Sequence, residues 1–197
     1  SECTFGLPVY RWRPEEEIHE QINRWWEGNK NAGYGSLIFA YSLGKAQRVL
    51  AGLDASVGPI YAHSAVHPFL EHYQNAGVTL PEVKKIEDEK DFSGAMVIAP
   101  PAVEDSSWMR KFHTVKRGFA SGWMAIRGPR RRKNIDRGFV LSDHADWPGL
   151  IDVITGTGAE VVKVTHGNGD ALSQFLVEKG INASVLNESS FLREEEE

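Results

Sequence analysis

With 197 residues, 41% hydrophobic and 25% charged, the chain has the make-up of a globular protein with room for one good core or two small ones. Its longest apolar runs, Gly94 to Val103 and Leu150 to Ile154, are far too short to cross a bilayer. The lone Cys3 excludes an internal disulfide, and no basic region followed by an apolar stretch opens the sequence, so a cytoplasmic setting is expected despite an unremarkable net charge of −5.

Taken in order, strands and helices alternate. Pro14 suits a first helical turn, Glu15, Glu16 and Glu17 suit its positive end, and Ile18, Ile22 and Trp25 recur at helical spacing. That helix is expected to stop near Gly28. Ser36 to Ser42 reads as a buried strand, Gly44 to Leu53 as a helix, Pro59 to Ala62 as a short strand, and a helix through Phe69, Leu70 and Tyr73 ends at Gly77. Thr79 to Gly94 is charged and reads as a long loop or short helical connection, followed by strand Ala95 to Ala99 and a short helix Ser107 to Lys111. Gly118 to Ile126 and Gly138 to Ser142 read as two strands on either side of the loop GPRRRKN. The end reads as helix Trp147 to Ile154, strand Glu160 to Thr165, helix Asp170 to Lys179 and strand Ala183 to Leu186, with an acidic tail Glu194 to Glu197. The class is α/β, with a parallel or mixed sheet covered by helices on both faces.

The charge is unevenly placed. Between Arg110 and Arg137 lie ten cationic residues opposed by Asp136 alone, a segment of +9 that leaves −14 for the remainder. A localised basic band in an acidic chain fits a polyanion contact. The bland alternative is a solvated loop whose arginines pair with carboxylates.

Three short segments are candidates for chemistry, each predicted to lie where a strand ends: Glu2-Cys3-Thr4-Phe5-Gly6, Ser142-Asp143-His144-Ala145-Asp146 and Thr165-His166-Gly167. Two histidines ending consecutive parallel strands would meet in space and could build a metal or phosphate site. Singly, each histidine is better explained as a hydrogen-bonded structural residue than as a ligand. Ser142 and Asp146 could cap the next helix, and neighbouring Ser, His and Asp point to different sides and cannot form a nucleophilic triad. His63 and His67 have i,i+4 spacing without the glutamate of an HExxH helix. His19, His72 and His113 read as surface or helix residues. Trp25 and Trp26 fit core packing better than base stacking. Gly167-Asn168-Gly169 is a turn signal before a helix, and no Walker loop or Rossmann fingerprint occurs.

Together the three segments resemble the β-CASP branch of metallo-β-lactamase-fold nucleases. ECTFG at 2–6 is similar to motif A, SDHADW at 142–147 to motif B, VTHG at 164–167 to motif C, and Tyr41-Ser42-Leu43-Gly44-Lys45-Ala46-Gln47 to a recurring strand-to-helix segment. The wording ECTFGLPVYRW, SGWM and DRGFVLSDHADW most resembles the bacterial exonucleases encoded beside DNA ligase, also described as mRNA 3′-end-processing-like. The resemblance covers nearly the whole chain. It implies the end of a metallo-β-lactamase portion at 1–8, a β-CASP domain at 9–139 and a return into the αββα sandwich at 140–197.

The resemblance further implies a metal-dependent phosphodiester hydrolase acting in DNA repair. His166 would be a metal ligand, His144 the general acid and Glu2 its orienting carboxylate. Ser142, Ser121, Gly122, Trp123, Arg130, Arg131, Arg132 and Lys133 would contact substrate. Two zinc ions are expected in the intact enzyme, with manganese an alternative. The family's HxHxDH signature is missing here, so this chain alone is expected to hold no metal or an incomplete site, to be inactive by itself, and to lack an N-terminal portion. The expected partners are nucleic acid, DNA ahead of RNA, that missing portion, and a second copy of the chain through unpaired strands near Val140 and Val162; no membrane is expected. The competing possibilities are a catalytically silent nucleic-acid-binding module and an RNA 3′-end-processing nuclease of the same fold.

Overall fold

A computed structural model describes residues 1–87, 89, 91–126 and 135–186. The chain divides into two compact units, Arg13–Asp143 and a second made of Ser1–Trp12 and His144–Glu197.

The first of these is α/β. It contains α1 (Glu15–Asn31), β1 (Gly35–Phe39), α2 (Lys45–Ala51), β2 (Ile60–Ala62), α3 (Leu70–Asn75), β3 (Lys84–Lys85), β4 (Met96–Ala99), β5 (Val115–Ala120) and β6 (Arg137–Phe139). The six strands form one sheet in the order β3-β2-β4-β1-β5-β6, and every pairing is parallel. A parallel sheet needs cover on both faces, and the strand sequences supply it. Ile38 and Ile98 point into a core built with Ile18, Ile22 and Trp26 of α1 and Leu50 of α2. Their strand neighbours Leu37, Phe39 and Val97 point to the other face, where Phe92, Met109, Phe112, Phe119 and Met124 cover them. Hence β1 reads as an unbroken apolar run instead of an alternating one. As the sequence indicates, Trp26 is core: it is fully buried and its Nε1 donates to the Gly94 carbonyl at 3.0 Å.

Several boundaries differ from the sequence expectation, each for a local reason. Helix α1 runs three residues past Gly28, because a helical glycine costs only about 1 kcal/mol. The stop comes just beyond its cap, Ala32, where Gly33 turns left-handed at φ 80. The 79–94 segment contains β3, a two-residue edge strand whose exposed lysines blunt the sheet edge. Strand β5 starts at Val115 and ends at Ala120. There the Ser121 hydroxyl accepts from Trp123 N at 3.3 Å and caps a 3-10 turn, Gly122–Ala125. Strand β6 stops at Phe139, so Ser142 follows it by three residues instead of ending it.

The other unit is smaller. It holds α4 (Trp147–Gly156), β7 (Val161–Val164), α5 (Gly169–Glu178) and β8 (Asn182–Val185), with β7 and β8 paired in parallel. Cys3, Trp147, Leu150, Ile154, Val162, Val164, Leu172 and Leu176 form its core. The N-terminal residues complete it by lying beside the end of β7: Glu2 and Thr165 form a parallel bridge, Cys3 N donates to Thr165 O at 2.9 Å, and Thr165 N donates to Ser1 O at 2.9 Å. Among the described residues no helix is long and apolar enough to cross a membrane.

Candidate functional site

Within the smaller unit, Glu2 and His144 meet although 142 residues separate them in sequence. Glu2 Oε2 lies 3.1 Å from His144 Nδ1. The other carboxylate oxygen, Oε1, accepts from Thr4 N at 2.6 Å and from the Thr4 hydroxyl. Partial burial works against ionising Glu2, but the bonds from Thr4 and His144 outweigh it and hold the carboxyl below its usual value of 4.5. Glu2 is therefore a carboxylate at neutral pH, the state that accepts from a ring N–H.

His144 sits on the loop that enters α4. The main chain there is pinned on both sides. Trp12 Nε1 donates to the His144 carbonyl at 2.9 Å, and Trp12 N donates to Asp146 Oδ2 at 2.8 Å. Asp146 is the N-cap of α4, its Oδ1 accepting from Gly149 N at 3.0 Å. The Phe5 ring stands edge-on to Trp12 at 4.9 Å and to the His144 imidazole at 5.9 Å.

His166 follows Thr165, the residue that bridges to Glu2. Its carbonyl accepts from Cys3 Sγ at 2.8 Å, and its Nδ1 lies 3.2 Å from Thr165 Oγ1. His166 adopts φ 60, a left-handed conformation uncommon outside glycine. Gly167 at φ 62 continues the turn, and here glycine is required: a Cβ would lie 2.4 Å from the Cys3 carbonyl oxygen and 2.6 Å from Thr4 Cα. The first and third motifs are thus packed backbone to backbone.

The two histidines do not end neighbouring strands of one sheet. Strands β6 and β7 belong to different sheets, and His144 reaches Glu2 from a loop. What adjoins the end of β7 is the chain around Glu2.

Among the described residues, no group of three or more His, Cys, Asp or Glu side chains could hold a metal ion. The described residues do not by themselves make up a metal centre. His63 is likewise not arranged as a ligand: its Nδ1 accepts from Ala65 N at 3.0 Å and its ring stands edge-on to Trp108 at 4.8 Å.

In the larger unit all strands point the same way, so the segments following β1, β5 and β6 emerge at one sheet edge, where α/β proteins gather ligands. Ser121 and Gly122 are buried there and Trp123 is 40% exposed. Ser142 is also buried, and its carbonyl accepts from Arg48 Nη1. The YSLGKAQ segment lies at the same edge. Lys45 is buried, with Nζ 2.9 Å from Asp143 Oδ1 and 4.6 Å from the Tyr41 ring centroid. Gly44, at φ 82, lets the Asp143 carboxylate approach, since a Cβ would sit 3.1 Å from its Oδ2.

Of the basic band, Lys116, Arg117 and Arg137 lie in the amino-terminal parts of β5 and β6, away from that edge, and Lys116 pairs with Asp136 at 3.5 Å. Arg130, Arg131, Arg132 and Lys133 lie outside the described residues.

Sequence reasoning missed Thr4, Trp12, Lys45 and Arg48 as functional neighbours. The i,i+2 spacing of Glu2 and Thr4 was a usable signal for a side-chain turn. Trp12 and Lys45 lie in segments that the resemblance picks out but without a readable role, and Arg48 carried no signal, because their partners lie 94 to 134 residues away.

No family model matches the chain. It is similar to a protein named "Probable DNA ligase" from Opitutus terrae, 29% identical over 191 residues. The similarity takes in 97% of this chain but 19% of that protein, so the chain spans about a fifth of its curated relative's length. Both units fall within the match.

Proposed function

We propose that this chain belongs to a DNA-processing enzyme and that Glu2 and His144 form the proton-transfer part of a phosphodiester-hydrolysing site. The carrying observation is the 3.1 Å contact between Glu2 Oε2 and His144 Nδ1, built from residues 142 positions apart. A carboxylate at Nδ1 fixes the ring so that Nε2 delivers a proton, the arrangement of an oriented general acid. As a water oxygen bonds to phosphorus and the P–O bond to the leaving group breaks, imidazolium Nε2 gives its proton to the departing oxygen. The N–H electron pair returns to the ring, the attacking water loses its proton to solvent, and the ring recovers a proton from solvent. Similarity to a segment of a protein named for DNA ligation supports a substrate that is DNA.

His166, beside Glu2 on the same turn, is proposed as one ligand of a metal centre that the described residues do not complete. Ser121, Gly122, Trp123 and Ser142 are proposed to contact substrate at the sheet edge of the larger unit.

The test is cleavage of end-labelled single- and double-stranded DNA, with RNA alongside, by the full open reading frame with zinc or manganese supplied. His144→Ala is expected to lower turnover by about 10²- to 10⁴-fold. Unchanged cleavage would remove His144 from the chemistry. A second reading is a nucleic-acid-binding module without catalysis, supported by the concentration of cationic residues between Arg110 and Arg137. Salt-dependent DNA binding with no cleavage by the full reading frame would establish it.

A further inference from the structure

We infer that Thr4 and Trp12 are positioning residues for the Glu2–His144 pair: Thr4 holds one carboxylate oxygen so that the other faces Nδ1, and Trp12 holds the main chain of His144. Their role rests on the pair acting as a proton-transfer dyad, as proposed above. The Glu2 and His144 side chains are 40% and 43% exposed. A pair so open to water adds little to stability, because solvent screens the charges and holding two side chains in one geometry costs rotamer entropy. The contact cannot hold its own geometry, so other groups must.

Those groups are present. Glu2 divides its oxygens: Oε1 takes the Thr4 amide and hydroxyl, and Oε2 is left to His144. Thr4 is itself fixed from behind, because Gly167 packs against its Cα with no room for a side chain. His144 is held between two anchored points, the Trp12 indole on its carbonyl and the Asp146 cap two residues on, which also takes the Trp12 amide. Phe5 wedges Trp12 from the side, and Tyr10 backs Phe5 at 4.9 Å. The stretch from Glu2 to Trp12 thus supplies the carboxylate, its clamp and the clamp on the histidine.

The experiment is ¹⁵N NMR of the His144 ring nitrogens in the 197-residue chain, at a pH where the imidazole is neutral. The native ring is expected to carry its proton on Nδ1, the reverse of free imidazole's preference in histidine. Thr4→Val keeps the shape and removes the hydroxyl; the Nδ1–H population is expected to fall, and Thr4→Ser to restore it. Trp12→Phe removes one donor, and amide exchange around His144 should quicken about tenfold, the equivalent of one hydrogen bond. A native ring protonated on Nε2, a Thr4→Val ring identical to native, failure of Thr4→Ser to restore it, or unaltered exchange in Trp12→Phe overturns the assignment.

Cleavage by the full reading frame separates the two claims. If the tautomer responds as expected while His144→Ala still cuts DNA, the positioning stands and the nuclease reading falls. If His144→Ala abolishes cleavage while Thr4→Val changes neither tautomer nor kcat, the positioning alone falls.

Discussion

The two units solve the same problem, covering parallel strands, by different means. In Arg13–Asp143 six parallel strands are sealed on both faces by residues close in sequence to the strands they cover: α1 precedes β1, α2 follows it, and the 107–112 turn precedes β5. Among the described residues of the other unit β7 pairs with β8, and the core and the other side of β7 are completed by residues from the far end of the chain, Cys3 and Glu2. The difference teaches how each unit closes its core. The larger unit is stabilised by burial between elements near in sequence. The smaller one has the Glu2–His144 contact beside the long-range pairing that completes its fold.

The largest expected effect tests whether each unit owns its core. Trp26→Ala empties a fully buried site and is expected to cost about 4 kcal/mol, and Leu172→Ala about 3 kcal/mol. Peptide-resolved hydrogen exchange should quicken in β1 and β4 for the first and in β7 and α5 for the second. Equal acceleration everywhere in either variant would break the comparison. Next, Lys45→Met removes a buried ammonium and leaves Asp143, one-third exposed, without it; a loss of about 2 kcal/mol in chemical denaturation is expected. A neutral result would mean that this pair adds nothing to burial.

A smaller effect is pH-dependent. Hydrogen bonds from Arg48, ahead of the opposing effect of burial, hold the Glu15 carboxyl below its usual value of 4.5. A depressed carboxyl contributes stability above the unfolded value, and the contribution disappears as pH falls through the folded one. Because both partners are about one-third exposed, it is worth about 0.5 kcal/mol. Urea midpoints from pH 6 down to pH 3 should fall less steeply in Glu15→Gln than in the native protein; parallel curves would refute it. Smallest of all, Thr4→Val is expected to leave global stability within about 0.5 kcal/mol, because it keeps the side chain's shape at a half-buried site. A larger loss would show that the clamp on Glu2 is also a structural support of the smaller unit.

Much of this was legible in the residues. Alternating strand and helix patterns pointed to the α/β class, Ile18 and Ile22 marked the buried stripe of α1, whose third member is Trp26 and not the expected Trp25, and Asp146 was one of two readable caps for α4. Boundaries were less so: Ser121, polar and able to cap a turn, ended β5 where hydrophobicity alone would have carried it to Ile126. The expectation that two consecutive strands would present the two histidines failed because strand order is not a local property, and β6 and β7 joined different sheets.

By itself the sequence determined periodicity, caps and turns, since these depend on residues within a turn or two of one another. It also marked the segments of Glu2, His144 and His166 as lying where strands were expected to end. Only the tertiary structure decided that Glu2 faces His144, that Trp12 holds it, and that Lys45 pairs with Asp143. Each of those contacts joins residues about 100 or more apart, and which of them form is settled by how the cores pack and by the loop-closure entropy that packing must offset, neither of which any short window of residues contains.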